Sequence, residues 1–236
     1  MAVAGGPNTV EDGLVLALDA ANPRCYTSGS TDIIDRITPS TGSLNNGVDF
    51  DYTSAGSFDF DQTDDTLTVS PANLSFGSQI SFEVWIKPMR ESNGYGCMFI
   101  QNATDGIGRY GLAIRGTDGN LIHYIGYNNT TVNGWWSAGK LPGGAGPSEN
   151  WHHIVASVDM SISGSTNRWI YHNGSLFRSA TANFPTTQVQ YNTTTNLQIV
   201  QSNFKGKLSI ANIYNKVLSP SEVAQNFAAM KGRFGL

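Results

Sequence analysis

Four aspartates, Asp59, Asp61, Asp64 and Asp65, crowd one short stretch of the chain. Carboxylates at this spacing could supply the oxygen ligands of a calcium ion, and they read equally as the solvated face and turn of a hairpin. His152 and His153 are neighbours, so on a strand their rings point to opposite faces. With His123 and His172 distant in sequence, no chelating set for zinc is expected. Glycoside hydrolysis needs a pair of carboxyl groups, and the segment Ser81-Phe82-Glu83-Val84-Trp85 offers Glu83 alone. There is no Gly-x-Ser-x-Gly nucleophile elbow and no phosphate-cradling glycine loop. No catalytic residue is therefore assigned. The adjacent Trp135 and Trp136, with Tyr124, Tyr127 and Asn133 close by, are the candidates for binding a ligand or a subunit. Aromatic rings offer stacking surfaces to sugars and anchors to interfaces. The competing reading has both tryptophans folding back to cap a sheet.

Composition narrows the function classes. Of 236 residues, 39% are hydrophobic and only 14% charged, against roughly 25% in an average globular protein. Ser, Thr, Asn, Gln and Gly must build the surface, as is frequent in extracellular and virion proteins. The net charge is −4 and no run of Lys or Arg stands out, which argues against a nucleic-acid partner. Cys25 and Cys97 are too few for a disulfide framework and read as free thiols from a reducing cytoplasm. The opening segment, Met1 to Gly6, lacks the features of a secretory signal. No apolar run approaches the roughly 18 residues of a membrane span.

The elements that would position these residues are short alternating runs. Leu14, Leu16 and Leu18 share one strand face, as do Phe58 and Phe60. Ile80, Phe82, Val84 and Ile86 form another such row, then Ile154, Ala156 and Val158, and lastly Leu208, Ile210 and Tyr214. Thr117-Asp118-Gly119-Asn120 and His172-Asn173-Gly174 read as hairpin turns. Such a series implies an all-β antiparallel sandwich. The stretch from Asn128 to Asn150 is the longest without a strand signal, and long loops are often functional. Ser219-Pro220-Ser221-Glu222 reads as a helix start. Val223, Phe227 and Met230 follow at helical spacing and Gly232 supplies a stop, giving one helix over about 219–231.

Several segments together resemble laminin-G-like, concanavalin A-type lectin/glucanase domains. They are Gly13 through Pro23, Phe58 through Asp65, Asn150 through Val155, Trp169 through Gly174, and Phe204 through Ser219. The resemblance implies a two-sheet jelly roll over 12–236, after an N-terminal arm of 1–11, with Trp151 as a packing residue. It also implies calcium at one rim of the sandwich, although many members carry an acidic residue where this chain has Ser209. Glucanases of this fold carry a Glu-x-Asp-x-(x)-Glu strand motif that is missing here. The opening strand and the ending from Gln225 to Leu236 are similar to laminin-G-like structural proteins of tailed bacteriophages. That similarity implies a non-enzymatic capsid decoration or knob protein, made in the host cytoplasm and placed on the virion surface. Its partners would be capsid or tail proteins, like subunits and cell-surface glycans, without nucleic acid or membrane. The alternative is a carbohydrate-binding module of a tail or adhesion apparatus, and a glycoside hydrolase is the least favoured reading.

Overall fold

Alternation at period two places apolar side chains on one face of each strand, and two such faces must cover each other. The computed structural model describes residues 7–38, 40–70, 77–89, 95–100, 110–115, 119–126, 133–142, 150–162, 164–182 and 196–236, with side chains left aside at 95–100, 110, 124–126 and 133–135. Within these the strands are β1 (Leu14–Asp19), β2 (Asp32–Ile34), β3 (Thr41–Asn45), β4 (Asp49–Asp51), β5 (Ser57–Asp61), β6 (Thr66–Val69), β7 (Gln79–Pro88) and β8 (Tyr95–Ile100). They continue with β9 (Tyr110–Arg115), β10 (Asn120–Gly126), β11 (Asn133–Lys140), β12 (His152–Ile162), β13 (Ser165–His172), β14 (Ser175–Ala182), β15 (Leu197–Val200) and β16 (Lys205–Tyr214). One helix, α1 (Pro220–Met230), follows, then a 3-10 turn over Lys231–Phe234. No helix among the described residues is long and apolar enough to cross a membrane.

The strands form two antiparallel sheets. The first runs β14-β13-β12-β7-β16-β5-β4, with β1 also on β16, and the second β11-β10-β9-β8-β15-β6-β3-β2. Between them lies the main core, where Leu16, Leu18, Phe58, Phe60, Phe82, Val84, Ile154 and Ile170 join Leu67, Val69, Leu112, Leu121 and Leu197. Each such side chain contributes roughly 1.5–3 kcal/mol by leaving water. The sandwich expected from the alternation is the fold observed.

Helix α1, the 3-10 turn and the segment around Val10 cover the outer face of the first sheet. Trp85, Trp151, Ile210 and Phe234 pack in one cluster there, and Val10, Tyr214, Leu218 and Val223 in another. The first sheet is thus buried on both faces, which is why the polar Ser81 and Glu83 of β7 are as buried as their apolar neighbours. The segment assigned to an N-terminal arm contributes Val10 to this layer.

Four expectations are corrected, the first being that Leu14 lies in the outer layer and not with Leu16 and Leu18, across a register shift in β1. Leu208, Ile210 and Tyr214 do not share a face: Leu208 enters the main core, whereas Ile210 and Tyr214 lie in the outer layer. The pairing of β16 with β7 shifts between Leu208 and Ile210, so Ser209 is an inserted bulge residue that reverses the alternation. At this point β16 also changes neighbours, from β5 to β1. The stretch 128–150 is not strandless, because β11 pairs along β10. Its paired tryptophans and flanking glycines hide the alternation that a strand normally shows. Finally, α1 ends at Met230, close to the expected end, but Gly232 is not its stop, since it lies inside the 3-10 turn over Lys231–Phe234. Phe234 stacks on Trp85 with ring centroids 4.1 Å apart, and that contact carries the chain on to Gly235, whose φ of +71° ends the 3-10 turn.

The helix start is as expected. The Ser219 hydroxyl accepts the Glu222 N–H, and the Glu222 carboxylate accepts the Ser219 N–H at 2.8 Å. Ser219→Ala should remove about 1 kcal/mol of stability, read as a thermal midpoint lowered by about 2–4 °C for a chain of this size. An unchanged midpoint would show that α1 is held by packing alone.

Candidate functional site

Glu83 is the one carboxylate on the central strand β7, and it faces the outer layer. It is 1% exposed. Its Oε1 lies 2.7 Å from His153 Nε2 on β12. Its Oε2 accepts from Asn212 at 2.9 Å, Tyr214 at 3.0 Å and Asn226 of α1 at 3.1 Å. Burial by itself would raise the Glu83 pKa, but the bond and charge of His153, with Asn212 and Tyr214, hold it below its ordinary value. Burial and the Glu83 charge together push the Tyr214 phenol upward. Asn226 Oδ1 in turn accepts the Val10 N–H at 2.7 Å. The carboxylate is engaged by four donors and sealed under the helix, and among the described residues no second carboxylate pairs with it.

Of the aromatic candidates, only Trp136 has its side chain among the described residues. Trp136 is half-buried, packs against the main core and lies 6.5 Å from the His123 ring. The register sets Tyr124 opposite Trp135 and Gly126 opposite Asn133, while the side chains of Tyr124, Asn133 and Trp135, and all of Tyr127, lie outside the described residues. Cys97 has its backbone on β8, its side chain also outside them, whereas Cys25 is free and buried.

The aspartates divide. Asp59 pairs with Lys207 on the adjoining strand, where Asp51 joins it at 3.2 Å from the same ammonium group. Asp61, Asp64 and Asp65 bring carboxylate oxygens within 4.8 Å of one another in the turn between β5 and β6. The turn itself gathers them: Asp61 accepts the Thr63 N–H at 2.7 Å, and Asp65 accepts the Asp61 N–H at 3.0 Å. One oxygen of Asp61 and one of Asp65 thus accept backbone N–H groups, as the turn of a hairpin requires. The Ser209 hydroxyl donates to Gly56 O at 2.7 Å and accepts from Arg233.

The histidines are less dispersed than their spacing implies. His152 Nδ1 lies 2.9 Å from His172 Nε2. Burial lowers both pKa values, that of His172 to about 4 with help from His152 and His153. His123 is fully buried and held to about 3, by burial and then by Arg168. Sequence reading also missed a cleft of about 260 Å³ between the segment after β1 and the edge strand β2, lined by Arg24, Tyr26, Ser30, Asp32, Ile34 and Thr41. Its residues are scattered polar ones without a motif, and only the Asn22-Pro23 turn could have marked the spot.

The family model described as the concanavalin A-like lectin/glucanases superfamily matches residues 61–224. The chain belongs to this superfamily. No curated protein sequence matches it. Among solved structures, this superfamily member is similar to the binding domain of Paraclostridial Mosquitocidal Protein 1, with TM-score 0.68 and 16% identity over 91% of this chain and 52% of that one. It is similar to domain 4 of AbnA, a GH43 extracellular arabinanase from Geobacillus stearothermophilus in complex with arabinotriose, with TM-score 0.63 and 21% identity over 93% and 100%. The binding domain of Botulinum neurotoxin DC in complex with SialylT gives 0.65 and 15% over 92% and 51%. The chain thus spans about half the length of the toxin binding domains and all of the arabinanase domain. At these identities the likeness fixes the fold.

Removing the buried carboxylate leaves the donors of His153, Asn212, Tyr214 and Asn226 without a partner, at about 1–3 kcal/mol for each group left unsatisfied. Glu83→Leu should therefore lower the thermal midpoint by on the order of 10 °C. His123, His152 and His172 set the acid limit. Their folded pKa values lie below the unfolded value of about 6.5, so the unfolded chain takes up protons first as pH falls. Their stabilisation is complete above about pH 6.5 and is lost towards the folded value of about 4 for His172. The Glu83 contribution has the opposite origin and is lost only below its unfolded pKa of about 4.3. Urea midpoints should decline from about pH 6.5 downward, less steeply in His172→Gln; a flat profile to about pH 4.5 would refute this assignment.

Proposed function

We propose that this domain is a non-catalytic glycan-binding module displayed on the surface of a phage particle, as a capsid decoration or knob protein. The observation that carries it is the state of Glu83, whose carboxylate is fully engaged by His153, Asn212, Tyr214 and Asn226. A glycosidase needs two accessible carboxyl groups about 5–9.5 Å apart, and this strand has spent its only one on holding the fold together. Binding is the role left to such a sandwich. It is supported by the whole-length likeness to an arabinanase domain that carries arabinotriose and by the likeness to toxin binding domains.

The particle context is supported by the low charge of 14% and by the similarity of the chain's ends to phage structural proteins. In this reading the chain is made in the host cytoplasm and reaches the virion surface by assembly. It meets like subunits and capsid or tail proteins there and contacts cell-surface glycans outward. A module of the tail or adhesion apparatus is the second form of the same proposal, favoured by a similar binding domain, that of Botulinum neurotoxin DC, in complex with rat synaptotagmin II.

Glycan-array binding that includes arabino-oligosaccharides tests the first half, with no reducing sugar released from any bound glycan. Release of sugar that vanished in Glu83→Gln would overturn it. Mass spectrometry of intact particles of a phage encoding the chain tests the second half, and absence of the chain from them would sink it. Trp136→Ala should cost about 1.5–3 kcal/mol of stability because this ring packs on the core, leaving Trp135 as the candidate anchor of that hairpin.

A further inference from the structure

We infer that the cleft beside β2 is a subsite for a neutral saccharide residue presenting a vicinal diol. This rests on the glycan-binding reading above and gives it a place. The segment from Ala20 to Thr31 leaves β1 and returns against the edge strand β2. Asn22 organises it: its carbonyl accepts the Cys25 and Tyr26 N–H groups at 2.8 and 2.9 Å, and its side chain accepts the Arg24 N–H at 2.9 Å. Ile34 N–H closes the segment onto the strand through Cys25 O at 2.7 Å. The cleft walls are thereby fixed before any ligand arrives, which reduces the ordering cost of binding.

The floor is rigid as well. Tyr26 is buried, with ring centroids 4.9 Å from Phe50 and 4.8 Å from Phe58, and its hydroxyl accepts the Gly29 N–H. The rim is different in kind. Arg24 and Asp32 are exposed, and neither side chain makes a hydrogen bond or ion pair with another described residue. Thr41 adds a hydroxyl, and Ile34, 52% exposed, adds an apolar ledge beside Pro23. A carboxylate accepts two hydroxyl protons at once, and a guanidinium donates to ring and hydroxyl oxygens from a fixed fork. Opposite charges on one rim leave no net preference for an anion. An apolar ledge suits the C–H face of a sugar ring. The volume of about 260 Å³ lies just below the roughly 300–1,000 Å³ of sites for drug-sized ligands, which suits one or two sugar residues and not a longer chain.

The test is calorimetric titration of the whole chain with arabinotriose and with the strongest neutral glycan of the array, and with sialyllactose as the acidic comparison. Arg24→Ala and Asp32→Asn should each weaken the neutral ligands about tenfold or more, the usual loss for a charge-assisted hydrogen bond, with unchanged thermal midpoints. Unchanged affinity in both variants would overturn the subsite and leave the glycan-binding reading standing. Tighter binding of sialyllactose, lost in Arg24→Ala, would overturn the neutral class. A wild-type chain that binds no saccharide on the array removes the reading and the subsite together.

Discussion

The Glu83 carboxylate draws donors from four places: His153 on β12, Asn212 and Tyr214 on β16, and Asn226 on the helix. A charge in a dry layer is tolerated only when paired and fully hydrogen-bonded. Once Glu83 sits at the centre of the first sheet, its neighbours on both sides must present polar groups, and the cover must present one too. The outer layer is therefore specified in position as well as in hydrophobicity. Val223 and Phe227 alone would let α1 slide over the sheet, but Asn226 has one place to go.

The same layer shows how the bulge and the cover depend on each other. Ser209 reverses the facing of β16, which sends Leu208 inward and Ile210 outward to meet Trp85 and Phe234. Its carbonyl takes the Ala20 N–H at 2.9 Å, and its hydroxyl meets Gly56 O and Arg233. Arg233 Nη1 also donates to both Asp19 carboxylate oxygens, at 2.9 and 3.0 Å. One inserted residue thus joins the last strand, the first strand and the end of the chain. The hairpin between β13 and β14 enters the layer through Gly174: a Cβ there would come within 2.8 Å of Phe227. Its φ of +78°, after Asn173 at +47°, is the pair of left-handed residues that a tight hairpin favours.

What could be read from the residues follows from how local the signal is. The alternation in β7 and β12 is a property of neighbouring residues, and so is the Ser219–Glu222 box, so both were legible. The fate of Glu83 was not, because its partners stand 70, 129, 131 and 143 positions away. The bulge at Ser209 escaped notice since Leu208, Ile210 and Tyr214 mimic an unbroken period. The His152–His172 contact joins residues 20 apart and needs the strand pairing before it can be seen. At the cleft, Arg24 and Asp32 become neighbours only when the segment between them folds back on β2. Polar groups that cluster only in space leave no such mark on neighbouring residues.

The segment at Asn8–Asp12 and helix α1 are tied to each other as well as to the sheet. Gln225 donates to Asn8 O at 2.7 Å, Asn226 accepts from Val10, and Lys216 bridges Asp12 and Glu222 at 2.6 and 2.7 Å. Tension applied through these two segments would meet at Glu83 and would have to extract Asn226 before it reached either β-ladder. The cover would yield first, as a mechanical fuse, while the sandwich beneath stayed shut.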